Sequence, residues 1–270
     1  MKVEFSKYHG LGNDFLLLDD ADGGLSNWLT GERIRALCDR HTGVGADGIL
    51  VRRDSEQADQ RMLLFNSDGT PAEISGNGLR CFVLFLRDAG YGVSREIAIE
   101  TGGGVQRARL VEPNVVESTM PVPKFAGGRP KLVDIEAQGM MFKVCVVNVG
   151  NPHGVVFGPV RDITFARTYG PALEKHSAFP GGANIEFVHV VSKRECRLVV
   201  WERGAGITMA CGSGSVATAA AGAALGDFAF DTSISVRQPG GALEITVASG
   251  FREIRQKGEA EFVFRGEIEL

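Results

Sequence analysis

The sequence predicts an α/β protein built by internal duplication, with two copies of one unit placed face to face and each wrapping a sheet around a buried helix. Three observations carry this reading. Segments of the first half recur in the second at almost one spacing: Asn13 in GNDF lies 138 residues before Asn151 in GNPH, Ser75 in ISGNGLRCF lies 136 before Cys211 in ACGSGSVAT, and Ile97 in IAIETGG lies 137 before Ile234 in ISVRQPGG. Each half carries one helical segment that is apolar nearly all round, through Phe82, Val83, Leu84, Phe85 and Leu86 in the first and Val216, Ala217, Ala219, Ala220 and Ala221 in the second. Such helices belong in a buried position. The rest of each half is a series of short β-type runs bounded by Gly, Asp or Asn.

Taken in order, residues 2–5, 15–18, 49–52, 62–65, 97–101 and 105–110 read as strands of the first copy. Residues 30–38 form a helix with Thr30 as N-cap and Glu32 in its first turn. The principal helix covers 78–89 by its apolar spacing, and Gly90 stops it. In the second copy the strands are 143–148, 154–157, 185–191, 197–201, 234–237 and 243–247, and the matching helix is 214–225, closed by Gly226. Between the copies, PVPKFAGGRPK (121–131) has three prolines, two glycines and no apolar period, so it reads as a linker. The halves are therefore 1–120 and 121–259.

Composition excludes several classes of function. With 270 residues, 29 basic and 33 acidic side chains and a net charge of −4, the chain offers no field for a polyanion, so nucleic acid is not an expected partner. Five cysteines are an odd number scattered through a long chain, which argues against a disulfide framework and for a reducing, cytoplasmic setting. Lys2, Glu4, Lys7 and His9 interrupt any signal peptide. The least polar long stretch, 209–225, is mostly Ala, Gly and Ser, so no membrane partner is expected. No CxxC or HxxxH occurs, and no metal site is expected. The Rossmann reading of GSGSVA fails because no strand leads directly into it. Glycine is abundant, 36 of 270 against a usual share of ~7%, without a G-X-Y period or Gly/Ser tract. Those glycines must do local backbone work.

The clearest such work is at Ser75-Gly-Asn-Gly and Cys211-Gly-Ser-Gly, where a small hydroxyl or thiol residue precedes a Gly-x-Gly turn that opens a buried helix. Glycine lets a ligand approach the backbone, and first-turn N–H groups have no intrahelical partner. Each turn is thus an anion site, favoured by the helix dipole. The same field is expected to make Cys211 a stronger acid than a free cysteine. If two such ends converge on one ligand, the arrangement suits removing a proton from one face of a carbon and returning it on the other.

The motifs HGLGNDF (9–15), HTGVGADGIL (41–50), FNSDG (65–69), SGNGLRCF (75–82), GNPHGVVF (150–157), NIEFV (184–188), ERGAGITMACGSG (202–214) and EFVFRGEIEL (261–270) resemble diaminopimelate epimerase, in the expected order and over residues 3–270. The resemblance implies a cofactor-independent isomerase that interconverts LL- and meso-diaminopimelate in lysine and peptidoglycan synthesis. It implies two pseudo-symmetric α/β domains, each a mixed sheet rolled around a central helix, with the last strand, about 260–270, returning to the first domain. Asn13, Asn66, Asn151, Asn184, Glu202 and Arg203 would contact the small-molecule substrate, and Gly76, Asn77, Gly212 and Ser213 would offer backbone donors to its α-carboxylate. The planar fork of Arg203 suits the carboxylate at the end of the substrate that does not react. His153 and Glu202 would orient or polarise the thiols. No cofactor is implied, so carbanion stabilisation must be electrostatic. A homodimer is a further state the resemblance implies.

One position departs from the family, which has a cysteine at each glycine turn; here the first is Ser75. A hydroxyl is not a competent base near pH 7 without strong activation. Cys81 does not replace it, being six residues further on, about one and two-thirds helical turns away. Either this is a laboratory Cys-to-Ser variant with impaired catalysis, or a natural one-thiol relative acting as a racemase or dehydratase on another amino acid. The intact remainder of the site favours the first. A serine hydrolase built on Ser75 lacks the G-x-S-x-G elbow, and a silent amino-acid-binding protein is the remaining class. Cys38, Cys81, Cys145 and Cys196 read as buried inert thiols. His9, like His153, would by itself read as a turn histidine satisfied by backbone; His41, His176 and His189 read as structural or surface, and Asp68 is equally well a turn former in NSDG.

Overall fold

A computed structural model of the protein describes residues 2–93 and 96–269; Met1, Ser94, Arg95 and Leu270, the last residue of EFVFRGEIEL, lie outside the described residues. The chain divides into two compact units, one of Met1–Ser118 with Gly258–Leu270 and one of Thr119–Lys257. The first opens with β1 (Lys2–Gly10), β2 (Asn13–Asp19), the short helix α1 (Gly31–Cys38), β3 (Gly48–Arg53), β4 (Gln60–Asn66) and β5 (Pro71–Ala72). The principal helix α2 (Gly76–Asp88) follows, then β6 (Glu96–Thr101), β7 (Gly104–Glu112) and β8 (Val115–Met120). In the second unit β9 (Lys124–Phe125), β10 (Leu132–Ala137), β11 (Met140–Asn148) and β12 (Pro152–Phe157) precede α3 (Ile163–Glu174). Then come β13 (Asn184–Ser192), β14 (Glu195–Glu202), β15 (Gly206–Ile207), the principal helix α4 (Gly212–Leu225), β16 (Ser233–Gln238), β17 (Gly241–Val247) and β18 (Ile254–Glu259). The last strand, β19 (Glu261–Glu269), pairs antiparallel with β1, Val3 opposite Ile268.

The two units repeat one pairing order, and that repetition is the duplication in three dimensions. In the first, β2 runs parallel to β3 (Phe15 opposite Gly48), β3 antiparallel to β4, β4 parallel to β6 and β6 antiparallel to β7. In the second, β12 runs parallel to β13 (His153 opposite Asn184), β13 antiparallel to β14, β14 parallel to β16 and β16 antiparallel to β17. Parallel pairs need long crossovers, which α1 and α3 supply. The second crossover and its pairing register bring His153 and Asn184, 31 positions apart in sequence, side by side.

Both principal helices are wrapped. Every residue from Gly76 to Leu86 of α2 is buried, and Leu79, Phe82, Val83 and Phe85 pack with Tyr8, Phe15, Leu17, Leu50, Met62, Ile97 and Ile99 from the surrounding strands. Helix α4 is thinner: its Ala217, Ala219, Ala220 and Ala221 leave room for the sheet to approach closely. It stops at Gly226, whose φ of 86° is the left-handed conformation favouring glycine after a helix.

Two sequence expectations are corrected. The stretch 121–131 is not a free linker: β9 within it pairs antiparallel with β11, Phe125 opposite Val147, and the Phe125 ring meets Phe251 edge-on at 5.4 Å. An aromatic anchor outweighs the Pro and Gly around it. Helix α3 was not expected, because Pro171 sits inside it and breaks the helical pattern. Asp162 caps it, accepting the Phe165 N–H at 2.8 Å.

The tight wrapping of α4 makes a specific prediction. A Cβ on Gly222 would lie 2.3 Å from Cδ2 of Phe228, itself buried, so neither side can yield. Gly222→Ala is expected to lower stability by about 1–3 kcal/mol in urea unfolding, despite the better helix propensity of alanine.

Candidate active site

Each principal helix begins at a residue that caps it with its own side chain. Ser75 has extended backbone (φ −135°, ψ 122°), and its Oγ accepts the Gly78 N–H at 3.0 Å. Cys211 has nearly the same backbone (φ −119°, ψ 112°), and its Sγ accepts the Gly214 N–H at 3.3 Å. The glycine three residues on fits tightly in both: a Cβ on Gly78 would approach Ser75 Cβ to 3.2 Å, and one on Gly214 would approach Cys211 Sγ to 3.2 Å. The two helices start at Gly76 and Gly212, two residues earlier than the apolar spacing indicated, so the turns themselves are helical.

At the head of α2, Asn77 Nδ2 donates to Asn13 Oδ1 (3.1 Å), and Asn13 Nδ2 donates to Asp47 Oδ2 (2.8 Å). Arg80, fully buried, donates from Nη2 to Asn77 Oδ1 (2.6 Å) and from Nη1 to the Gly76 carbonyl (3.1 Å). Burial lowers its guanidinium only to about 10, so it remains a cation behind the turn at neutral pH. Arg40 bridges Asp14 and Asp47 at 2.6 and 2.7 Å. Burial pushes Asp14 up, but hydrogen bonds from Arg40 and Lys7 outweigh it and hold the carboxyl at about 2. Ser75, Gly76, Asn77 and Asn13 therefore form one connected group. Asn66 Nδ2 donates within its own turn, to Thr70 Oγ1 (3.1 Å). Asp68 Oδ1 accepts from the Thr70 N–H and hydroxyl in that turn, the role of a turn former.

The head of α4 is more heavily ionisable. Cys211 Sγ stands 3.6 Å from Ser213 Oγ, and its backbone N–H donates to Gln238 Oε1 at 2.7 Å. Gln238 in turn bonds Ser215 Oγ, and Gln256 bonds the Gly212 carbonyl. Asn151 Nδ2 reaches Ser213 Oγ (3.4 Å), while Asn151 Oδ1 lies 2.8 Å from His153 Nε2. His153 Nδ1 lies 2.7 Å from Glu186 Oε1, both side chains fully buried. Glu202, half-buried at the end of β14, accepts from the Thr208 hydroxyl. Asn184 holds the Pro152 carbonyl and the Arg203 N–H, leaving the Arg203 side chain exposed. Asn151, His153, Glu202, Cys211, Gly212 and Ser213 are thus assembled at one helix end.

Cys211 is not the stronger acid that its helix position led us to expect. Burial raises its thiol well above the ordinary value, and the facing carboxylate of Glu202 raises it further, against smaller lowering by Ser213 and the Gly214 N–H. Desolvation and a facing carboxylate outweigh one helix end. Burial likewise raises the carboxyls of Glu202 and Glu186. Cys81 and Cys196 are pushed up to about 12, and Cys38 and Cys145 to about 11, all by burial first. These four thiols are inert. Sequence reasoning missed Glu186, Gln238 and Asp47; a charged or amide residue inside an apolar strand run was the available signal for the first two. Among the described residues no group of three or more His, Cys, Asp or Glu side chains is placed to share a metal ion.

Iodoacetamide labelling tests the charge balance at Cys211. Labelling of Cys211, read by peptide mass, should be slow at pH 8 and climb with pH beyond the range of a free thiol. Glu202→Gln should accelerate it about tenfold at pH 8, since removing a facing carboxylate favours the thiolate. Labelling unchanged in that variant would show that Glu202 does not act on the thiol.

Comparison with known proteins supplies the family. The family profile described as diaminopimelate epimerase matches residues 5–125 and 145–263. The chain is 40% identical over 285 residues to the diaminopimelate epimerase of Nostoc punctiforme, covering 99% of this chain and 100% of that protein. It is 39% identical to the diaminopimelate epimerase of Alkalilimnicola ehrlichii over 282 residues, covering both chains completely. Among solved structures, a phenazine biosynthesis protein of the PhzF family from Bacillus anthracis superposes with a TM-score of 0.73 at 19% identity, over 100% of both chains. A hydroxyproline epimerase from Agrobacterium vitis does so at 0.72 and 15%, over 99% of this chain and 91% of that one. At those identities the two structures speak for the fold alone, and they share it over nearly the whole length. The sequence matches span both units and both glycine turns, and by them this chain belongs to the diaminopimelate epimerase family.

Proposed function

We propose that this chain is a cofactor-independent amino-acid epimerase whose substrate is diaminopimelate, interconverting the LL and meso forms by two-base proton transfer at Cα. The observation that carries the proposal is the buried thiol of Cys211 at the head of α4, among His153, Glu186, Glu202 and Ser213, in a chain of this family. The function places it in lysine and peptidoglycan synthesis.

The chemistry follows from the proton inventory. Epimerisation needs a base to take the Cα proton and an acid to return one from the opposite face. Cys211, held as a thiol, is the acid: Sγ–H gives its proton to the carbanion and becomes thiolate. First-turn N–H groups of Gly76, Asn77, Gly212 and Ser213 serve the α-carboxylate, where helix-end donors stabilise the charge that develops as Cα ionises. Asn13, Asn66, Asn151 and Asn184 complete the substrate contacts, and Arg203, exposed and planar, takes the distal carboxylate. Position 75 should supply the base. Ser75 is a good helix cap and a poor base, so this chain binds substrate and turns it over slowly. We read it as a Cys-to-Ser variant of a two-thiol enzyme.

The decisive experiment follows Cα deuterium exchange from solvent, with LL- and meso-diaminopimelate supplied separately. Ser75→Cys should raise the rate about 100- to 10,000-fold, the range of a positioned general base. Equal rates in the two proteins would overturn the two-base account.

A homodimer through β19 completes the proposal. This edge strand pairs with β1 on one side, and Phe262, Val263 and Phe264 are exposed at 46%, 46% and 40%. Three consecutive exposed apolar side chains favour contact with a second copy. Sedimentation should give a dimer, and Phe264→Asp should shift it to monomer.

A further inference from the structure

Glu186 has no part in the steps above, yet it is fully buried at the centre of the Cys211 group. Strand β13 carries it, and the parallel register with β12 sets it against His153. The hydrogen bonds constrain where the protons are. Asn151 Nδ2 faces Ser213 Oγ, so Asn151 Oδ1 faces His153 Nε2; an amide oxygen only accepts, and Nε2 therefore carries hydrogen. The 2.7 Å contact between Nδ1 and Glu186 Oε1 then shares one proton. The pair is either imidazole with carboxylic acid or imidazolium with carboxylate, and neutral overall in both.

Three observations favour the carboxylic acid. Oε2 of Glu186 is buried and has no hydrogen-bond donor among the described residues, which a carbonyl oxygen tolerates far better than a carboxylate oxygen. A Cβ built on Gly214 would sit 2.9 Å from Glu186 Oε1 and 3.2 Å from Cys211 Sγ, so carboxyl and thiol flank one point above the helix head. The ionisable groups facing that point are His153 from β12, Glu202 from β14 and Cys211 at the head of α4; Glu202 already brings one carboxylate to the thiol. Burial also favours the uncharged carboxyl.

We propose that Glu186 is the positioning residue of the Cys211 group: a neutral carboxylic acid that donates to His153 Nδ1, fixes the imidazole as the Nε2–H tautomer bonded to Asn151, and spares the Cys211 thiolate a second buried negative charge. The inference rests on the reading of Cys211 as the acid of Cα proton transfer. When Cys211 gives its proton to the carbanion, the thiolate left behind faces Glu202 but no ionised Glu186, so the proton is given up at a smaller electrostatic cost.

Two measurements without substrate test this. Two-bond proton–nitrogen NMR correlation at pH 7, with His153 assigned by its absence in His153→Gln, should show the Nε2–H tautomer in the parent protein. Glu186→Gln should keep it, because the amide also donates to Nδ1, and Glu186→Leu should lose it. Labelling of Cys211 by iodoacetamide at pH 7 should change by no more than about twofold in Glu186→Gln, whereas loss of an ionised neighbour would accelerate it about tenfold. An imidazolium or Nδ1–H form in the parent, or tenfold faster labelling in Glu186→Gln, overturns the proposal; Glu186→Gln alone carries the test if Glu186→Leu does not fold. Epimerisation is assayed separately with Ser75→Cys, so an inactive Ser75→Cys protein with the Nε2–H tautomer intact counts against the proposed function and not against the role of Glu186.

Discussion

The hydrogen bond from a helix N–H to the side chain of its own N-cap is the interaction on which both candidate half-sites depend. Helices α2 and α4 are wrapped over nearly their whole length, so their first turns cannot rely on bulk water for the N–H groups a helix leaves unpaired. Ser75 and Cys211 each satisfy one of them. That bond accompanies an extended cap and brings the glycine three residues on against it. Oxygen and sulfur fill the same geometry, at 3.0 and 3.3 Å. Either atom therefore serves the fold equally well as a cap.

Burial that stabilises the helices also governs the acid–base chemistry at their ends. A helix N-terminus favours an anion, but the preference is modest beside the cost of ionising a group with little solvent around it. At Cys211 the cost dominates, and Glu202 adds to it. The thiol is thus kept as an acid. At the head of α2 the balance differs: Arg80 stays cationic behind the turn, and the Asp14, Asp47 and Arg40 cluster anchors Asn13 rather than charging the cap. Two copies of one unit have acquired opposite electrostatic surroundings.

Much of this was legible in the sequence. The repeat spacing, the two apolar helices, the caps at Thr30 and the glycine stops depend on contacts between residues close in the chain, and local pattern reports those well. Helix α3 was hidden by Pro171, and β9 by the Pro and Gly around Phe125, since each is held by partners far along the chain. Glu186 was invisible for the same reason. In sequence it is one polar residue in the strand NIEFV; only the parallel pairing of β12 and β13 sets it against His153.

By itself, then, the sequence determined the duplication, the buried helices, the glycine turns and which residue types stand at them, because periodicity and backbone freedom are properties of neighbouring residues. It also determined that a hydroxyl stands at position 75 and a thiol at position 211. Tertiary structure alone decided the protonation of those groups. Whether Cys211 is a thiol or a thiolate depends on how deeply it is buried and which carboxylates face it, and those are set by strands that are distant in sequence and adjacent only in the folded sheet.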